Sequence, residues 1–159
     1  MRYLIRLICP ADDPAVEAVI RSCLIEFGGD HEGTAWADPD LCCFSQVYNT
    51  PGNRYWVAQT EDGVIVGGVG IGALKGADGV CELQKMYCLP CVRGTGVAQM
   101  LLRRALTYAK RYYRACYLET LENMTAAQRF YEKNGFTRVT EPLVQTGHYA
   151  CDVRYLRQL

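Results

Sequence analysis

A largely apolar strand, a glycine turn and an amphipathic helix follow one another without interruption between residues 81 and 102, and this run constrains the fold more than any other part of the chain. The residues up to Leu89 are typical of a buried strand, which Pro90 ends. From Val97 onward, apolar residues recur at helical spacing and give the helix one apolar face. They are Val97, Leu101, Ala105, Tyr108 and Ala109.

The turn between strand and helix, Arg93-Gly94-Thr95-Gly96, is suited to binding an anion. The first turn of a helix leaves its N–H groups unpaired, and the helix dipole makes that end positive. The two glycines let a ligand approach the backbone closely, and Arg93 can add a charge-assisted hydrogen bond. We therefore expect a pyrophosphate site at this turn.

Two motifs of the second half of the chain resemble the GNAT superfamily of N-acetyltransferases. Arg93-Gly94-Thr95-Gly96-Val97-Ala98 resembles the family's acetyl-CoA pyrophosphate loop, Arg/Gln-x-x-Gly-x-Gly/Ala. Residues 130–136, Phe-Tyr-Glu-Lys-Asn-Gly-Phe, resemble the family's Leu/Phe-Tyr-x-x-x-Gly-Phe ending. The resemblance implies acetyl-CoA as co-substrate, held by residues 93–98, in a single N-acetyltransferase domain that spans residues 1–159.

The remaining patterns predict strands and helices in the order βααβββαβαββ, which is an α+β domain with a central mixed sheet flanked by helices. This agrees with the fold that the resemblance implies. Asp13 and Pro14 are typical of a helix start. The strands are expected at 2–8, 54–60, 64–74, 81–89, 115–120, 136–139 and 147–156, and the helices after 13, through 41–48, from 97 and from 123 or 125.

Length and charge exclude several classes of protein. At 159 residues the chain suffices for one domain with a substantial core. Its 17 basic and 17 acidic residues balance, so we expect no nucleic-acid or membrane partner. No apolar run reaches membrane-spanning length, and the N-terminal segment is too short and too interrupted by Arg6 for a signal peptide.

The nine cysteines, an odd number without regular spacing, indicate reduced thiols in a cytoplasmic protein. Cys88 and Cys91 form a C-x-x-C pair. A zinc site normally needs a second pair of ligands and a redox motif needs a thioredoxin-like surround, and the sequence offers neither. We therefore expect no metal cofactor.

Acetyl transfer to an amine requires a base, because an alkyl ammonium has a pKa near 10 and removing its proton at neutral pH costs about 4 kcal/mol. Glu82, a carboxylate within the central strand beside the cofactor loop, is the leading candidate, because burial would raise its pKa. Glu119, near the end of the neighbouring strand, is the second candidate. The alternatives for Glu82 are an ion pair with Lys85 or an arginine, and a solvated position on the sheet.

The resemblance assigns further roles. Tyr131 matches the family's tyrosine, a phenol able to protonate the leaving thiolate, and the alternative is an ordinary core tyrosine. Main-chain groups of Met86 and Cys88 are implied to bind the acetyl group and the pantetheine arm. The family's cofactor-contacting asparagine corresponds in position to Met124, so the neighbouring Asn123 is a candidate either for that contact or for the helix cap.

The acceptor pocket is expected under the helix–loop–helix region that follows the first strand. This makes His31, Trp36 and Tyr48 candidates to contact the acceptor, with a core or surface role as the alternative for each. His148 is a further candidate to shape that pocket.

The strand at 64–74 contains four glycines within six residues, Gly67, Gly68, Gly70 and Gly72. Glycines in a strand usually mark a bulge or the close approach of another group. Sheet curvature is the simpler explanation, and approach of a ligand is the alternative.

These observations favour an N-acetyltransferase that moves an acetyl group from acetyl-CoA to a small-molecule amine, such as an amino acid or a related metabolite, by direct transfer in a ternary complex. The alternative is a non-catalytic acyl-CoA-binding module that regulates a partner protein. A nucleotide-binding domain is disfavoured, because no Lys-Ser/Thr follows the glycines. By analogy with the family, a homodimer is one possible assembly, with the C-terminal strand as its candidate edge.

Overall fold

The computed structural model describes residues 1–159, and its seven strands and four helices occur in the predicted order βααβββαβαββ. In chain order they are β1 (Tyr3–Leu7), α1 (Asp13–Glu26), α2 (Phe44–Val47), β2 (Arg54–Thr60), β3 (Ile65–Ala73), β4 (Val80–Cys88), α3 (Val97–Ala109), β5 (Ala115–Thr120), α4 (Thr125–Lys133), β6 (Thr137–Val139) and β7 (Val153–Gln158). The α+β class is therefore confirmed.

All seven strands form one sheet in the order β1-β2-β3-β4-β5-β7-β6. Only the β4–β5 pair is parallel, which confirms the mixed sheet. The prediction that the C-terminal strand is a free edge is wrong, because β7 pairs with β5 on one side and β6 on the other. The edges of the sheet are β1 and β6.

Helices cover both faces of the sheet. The residues of β2 show this, because successive side chains of a strand point to opposite faces of the sheet and those of β2 enter two different cores. Trp56 and Ala58 join the large core beneath α3, whereas Tyr55 and Val57 join the core beneath α1 and α2. None of the helices is both long and apolar enough to cross a membrane.

The last strand begins later than predicted. Residues 147–152 form a loop instead of extending β7, which starts at Val153. This loop is bonded to the segment between α1 and α2: His148 Nε2 lies 2.9 Å from Asp38, and the Ala150 amide donates to the Gly33 carbonyl at 2.9 Å. These bonds hold the loop against that segment, where it does not pair as part of β7.

The start of α1 also differs in detail. Asp13 is the first residue of the helix and does not cap it. Its carboxylate accepts hydrogen bonds from the backbone amide and the hydroxyl of Ser45, and so fixes α2 against the start of α1.

Candidate active site

Strands β4 and β5 separate partway along their length. Their pairing covers Val80–Ala115, Cys81–Cys116 and Glu82–Tyr117 and then ends. Beyond Glu82 the facing main-chain groups of the two strands have no partner strand, and a cavity of about 50 Å³ lies between them. The two strands are therefore splayed apart from this point on.

A bulge in β4 lies at this opening. The pairing of β3 with β4 passes from Gly68–Tyr87 to Gly70–Gln84, so that Lys85 and Met86 together face one residue of β3. Lys85 is the only non-glycine residue with a positive φ, at 51°. Such a conformation is unfavourable for a residue with a side chain and needs support from its surroundings.

Two side chains from other elements support Lys85. The Tyr55 hydroxyl donates to its carbonyl at 2.8 Å, and its Nζ lies 2.6 Å from an oxygen of Asp38. Asp38 also bonds His148. Burial opposes ionisation of Asp38, but the hydrogen bond from His148 and the charge of Lys85 outweigh burial and lower the pKa of the carboxyl.

The glycine turn has the geometry of an anion site. The amides of Gly96, Val97 and Ala98 donate to no backbone carbonyl, and they lie at the positive end of the 13-residue α3. Gly94 and Gly96 have φ of 77° and 93°. A Cβ added at either position would meet no atom within 4 Å, so the space above the turn is open.

Arg93 is already engaged in the absence of a ligand. Its guanidinium donates to both carboxylate oxygens of Glu26 at 2.6 and 2.9 Å, and its Nε donates to the Cys88 carbonyl at 3.1 Å. The hydrogen bond from Arg93 lowers the pKa of Glu26. Arg93 thus connects the end of α1 to the end of β4 beside the turn.

An apolar cleft of about 300 Å³ extends from the turn towards the opening between β4 and β5. It is bounded by the end of α1, the end of β4, the start of α3 and one face of α4. Met86 and Cys88, both predicted to contact the cofactor, lie in its wall together with Arg93, Gly94 and Ala98.

Tyr131 lines both this cleft and the small cavity between the strands. Its ring packs against Phe130, Phe136 and Tyr155 in the core, and its hydroxyl, which makes no hydrogen bond within the protein, is not fully buried. Burial raises the pKa of Tyr131, so the phenol stays protonated at neutral pH. A protonated, unbonded hydroxyl at the junction of two cavities is placed to donate a proton.

Glu82 also lines the small cavity. It makes no ion pair, because Lys85 bonds Asp38 instead, and its one side-chain partner is Gln84, whose Nε2 donates to Oε1 at 2.7 Å. Burial raises the pKa of Glu82, the Gln84 hydrogen bond offsets part of the rise, and the charge of Glu119 adds to it. The ion pair considered as an alternative role for Glu82 is therefore not formed.

Glu119 is more fully engaged than Glu82. Its carboxylate accepts hydrogen bonds from the hydroxyls of Tyr117 and Thr146, and Arg154 Nε lies 3.9 Å away. Both of its oxygens therefore already accept a hydrogen bond within the protein, whereas only one oxygen of Glu82 does.

A polar groove of about 310 Å³ opens on the other side of Glu82. Tyr48 and His148, two of the residues predicted to contact the acceptor, line it together with Asp38, Gln84 and Lys85. The last three were not predicted as site residues. In the sequence Asp38 precedes a proline, a pattern typical of a helix start rather than of a site residue. The positions of Gln84 and Lys85 depend on the bulge, which no local sequence pattern predicts.

Other candidates lie outside these cavities. His31 is exposed and its Nδ1 contacts the Glu32 carbonyl at 2.6 Å, while Trp36 lies beneath Arg21 with its ring centroid 4.6 Å from the guanidinium. The Asn123 amide donates to the Phe27 carbonyl at 2.7 Å and does not cap α4. All nine cysteines are free thiols, and no three His, Cys, Asp or Glu side chains are grouped to hold a metal ion.

Comparison with known proteins agrees with this geometry. Residues 51–138 match the family model described as acetyltransferase (GNAT) domain. The N-acetyltransferase YjgM of Escherichia coli (strain K12) is 42% identical over 159 residues, which covers 98% of this chain and 95% of that protein. The N-acetylaspartate synthetase of Xenopus tropicalis is 36% identical over 104 residues, which covers 63% of this chain and 37% of that protein.

Among solved structures, the PaiA N-acetyltransferase of Thermoplasma acidophilum, in complex with coenzyme A, superposes with a TM-score of 0.75 at 19% identity over the whole of both chains. The fold is therefore that of the acyl-CoA N-acyltransferases. Together with the matching family model and the relative that spans nearly the entire chain, this shows that the chain is an N-acetyltransferase and belongs to the GNAT family.

Proposed function

We propose that this enzyme transfers the acetyl group of acetyl-CoA directly to the amine of a small molecule, an amino acid or a related metabolite, within a ternary complex. The observation that carries the proposal is the continuity of three spaces. The cavity between β4 and β5 shares Met86 and Tyr131 with the apolar cleft, and it shares Glu82 and His148 with the polar groove. A donor in the cleft and an acceptor in the groove would therefore meet at the opening of the sheet.

The cleft and the glycine turn suit coenzyme A. The unpaired amides of Gly96, Val97 and Ala98 would bind the pyrophosphate, with Arg93, Gly94 and Thr95 completing the loop. The apolar walls of the cleft match the pantetheine arm, and the free main-chain groups of β4 near Met86 and Cys88 would bind the arm and the thioester carbonyl. Asn123 is not included among the proposed cofactor-binding residues, because its side-chain amide donates to the Phe27 carbonyl.

The transfer would proceed as follows. Glu82 accepts a proton from the acceptor ammonium, directly or through water, and the amine nitrogen attacks the thioester carbonyl carbon. The C–S bond breaks as the C–N bond forms. Tyr131 donates its hydroxyl proton to the departing thiolate, and the second proton that the nitrogen loses as the amide forms would restore the phenol. The one proton released overall is the one that Glu82 passes on to solvent. The raised pKa of Glu82 favours the base role, since it brings the carboxyl closer to neutral pH.

The polar groove supports a small acceptor. Its volume of about 310 Å³ and its mixture of carboxylates with Lys85 and His148 suit a molecule that carries an amine and other polar groups. The N-acetylaspartate synthetase of Xenopus tropicalis, to which part of the chain is similar, bears a name that refers to an acetylated amino acid. Amino acids are therefore the first acceptors to test.

Calorimetry and a thiol-release assay test the proposal on the same proteins. Acetyl-CoA is titrated into wild type, Gly96→Trp and Glu82→Gln, and each protein is then assayed against a panel of amino acids and small amines. We expect wild type and Glu82→Gln to bind, Gly96→Trp to lose binding, and Glu82→Gln to turn over about 100-fold more slowly than wild type.

Gly63→Trp is the matched control, because Gly63 has a φ of 90°, like Gly96, but lies in the hairpin turn between β2 and β3. The backbone strain of the two tryptophan variants should therefore be similar, while only Gly96→Trp should block acetyl-CoA. Loss of binding in both tryptophan variants would indicate misfolding. If folded wild type binds no acetyl-CoA, the assignment of residues 93–98 is wrong. If it binds but releases no thiol with any amine, the small-molecule acceptor is wrong.

A further inference from the structure

Three of the four glycines of β3 lie against large side chains: Tyr48 and Tyr55, which hydrogen-bond residues of β4, and Gln84 of β4 itself. A Cβ at Gly68 would lie 2.6 Å from the Tyr55 ring, and one at Gly70 would lie 2.9 Å from the rings of Tyr48 and Tyr55. A Cβ at Gly72 would lie 2.8 Å from Gln84 Oε1. The glycines thus provide space for two tyrosines and one glutamine, which is the close approach of other groups that glycines in a strand can mark.

Two of these side chains form a chain of hydrogen bonds that ends on Glu82. The Tyr48 hydroxyl donates to Gln84 Oε1 at 2.6 Å, and Gln84 Nε2 donates to Glu82 Oε1 at 2.7 Å. An ionised carboxylate only accepts hydrogen bonds, so the amide must turn its NH₂ towards Glu82 and its oxygen towards Tyr48. Burial keeps Tyr48 protonated, and its hydroxyl therefore remains a donor.

The geometry points to Gln84, oriented by Tyr48 across the glycines of β3, as a positioning residue that fixes the Glu82 carboxylate for proton transfer. Gln84 is the only side chain that hydrogen-bonds Glu82, so nothing else holds this carboxylate in place. The inference rests on the proposed function in that Glu82 is taken as the base.

The groups that face Glu82 determine whether loss of Gln84 raises or lowers the pKa of Glu82. Gln84 stabilises the ionised form, as do the charges of Lys85 on β4 and His148 in the β6–β7 loop, whereas Glu119 on β5 destabilises it. The hydroxyls of Tyr48 and Tyr117 complete the surroundings and stay neutral at pH 7. Removing the Gln84 donor therefore raises the pKa of Glu82.

The test measures that pKa directly. Protein labelled with ¹³C at the glutamate side-chain carboxyls is titrated by NMR, and the Glu82 signal is assigned by its absence in Glu82→Gln. In Gln84→Met we expect the pKa of Glu82 to rise by about one unit, because a hydrogen bond to a charged group is lost. In Tyr48→Phe and Gly72→Ala, which loosen or displace the Gln84 amide, we expect a smaller rise.

Tyr155→Phe is the matched control, since Tyr155 is also a buried tyrosine that donates to a carboxylate, Glu132, at 2.7 Å but is absent from the Glu82 network. It should leave the Glu82 signal unchanged. The acidic limb of kcat/KM against pH, measured by thiol release, should move upward with the NMR value in Gln84→Met.

The two proposals fail separately. If the pKa of Glu82 does not rise in folded Gln84→Met, or if it rises while the pH profile stays in place, the positioning role is wrong. If wild type releases no thiol, the proposed function fails, and the NMR titration still decides whether Gln84 governs Glu82. Retention of full activity by Glu82→Gln would remove Glu82 as the base and with it the positioning role.

Discussion

Gly68→Ala should destabilise the fold by overpacking. The new methyl group would lie 2.6 Å from Cε1 and Oη of Tyr55, well inside contact distance. Tyr55 is only 1% exposed and its ring is held between Phe44 and Tyr48, with centroids 5.0 and 5.3 Å away. The ring therefore has no free space to enter, and either the ring or strand β3 must shift.

The expected cost combines two terms. Inserting a methyl into a well-packed core typically costs 1–3 kcal/mol, that is, about 2 kcal/mol. Replacing glycine by alanine also stabilises the fold by about 0.4–1 kcal/mol, because it lowers the conformational entropy of the unfolded chain. The net loss is about 1–2 kcal/mol, which for a domain of this size lowers Tm by about 2–8 °C.

Urea unfolding at pH 7, followed by circular dichroism, gives the free energy of unfolding, and thermal unfolding gives Tm. Gly147→Ala is the control, because a Cβ at Gly147 meets no atom within 4 Å. Gly72→Ala gives a further contrast: its methyl would meet the amide end of Gln84, a flexible side chain that can swing away, so its cost should stay below about 1 kcal/mol.

The reasoning is refuted if Gly68→Ala is as stable as Gly147→Ala with an unchanged m-value. A double variant provides a second check. Tyr55→Leu removes the ring that the methyl would meet, so Gly68→Ala should cost at least about 0.5 kcal/mol less in that background than in wild type. Additive effects of the two substitutions would mean that Gly68 and Tyr55 do not contact each other in this way.

Three further predictions concern charged and polar groups elsewhere. The hydrogen bond from Arg6 lowers the pKa of Asp12 from 3.8 to about 2, so Asp12→Asn should cost about 2 kcal/mol at pH 7. In urea titrations this difference should disappear as the pH falls from about 4 towards 2, because stabilisation by a depressed carboxyl pKa is present above the unfolded value and is lost through the folded one. Glu26→Gln removes the carboxylate that pairs with Arg93 and a negative charge beside the glycine turn. Acetyl-CoA should therefore bind this variant about two- to fivefold more tightly, as measured by calorimetry. Equal or weaker binding would show that Arg93 does not contribute to the anion site. Tyr131→Phe should lower kcat about 10- to 100-fold in the thiol-release assay. Its free energy of unfolding should stay within about 0.5 kcal/mol of wild type, because the hydroxyl makes no hydrogen bond in the protein. An unchanged kcat would exclude Tyr131 as the acid.

The parts of the fold that local chemistry determines could be predicted from the sequence. Strand β2 has the predicted bounds, and α3 begins at Val97 directly after the glycine turn. Alternating apolar residues, a glycine in a left-handed conformation and a helical apolar face are properties of neighbouring residues, so they can be recognised without knowledge of the rest of the molecule.

The features that could not be predicted depend on contacts between distant residues. Lys85 adopts its left-handed conformation because Tyr55 and Asp38, 30 and 47 positions earlier, hold its carbonyl and its ammonium. The loop at 147–152 leaves the strand direction because His148 bonds Asp38. In the sequence the glycines of β3 indicate either sheet curvature or the close approach of another group, and only the three-dimensional structure identifies the tyrosines that lie against them.

The surroundings of the two candidate bases favour Glu82 on physical grounds that the sequence does not contain. Both carboxylates line the same cavity, but Glu119 accepts two hydroxyl hydrogen bonds and lies near Arg154. Glu82 has one amide donor and no ion pair, because Asp38 engages Lys85. When two carboxylates share a site, the one whose charge is less compensated takes up a proton more readily. The ion pair between Lys85 and Asp38 thus has two effects on the site: it supports the bulge in β4, and it leaves Glu82 without an ion pair, as the proposed base role requires.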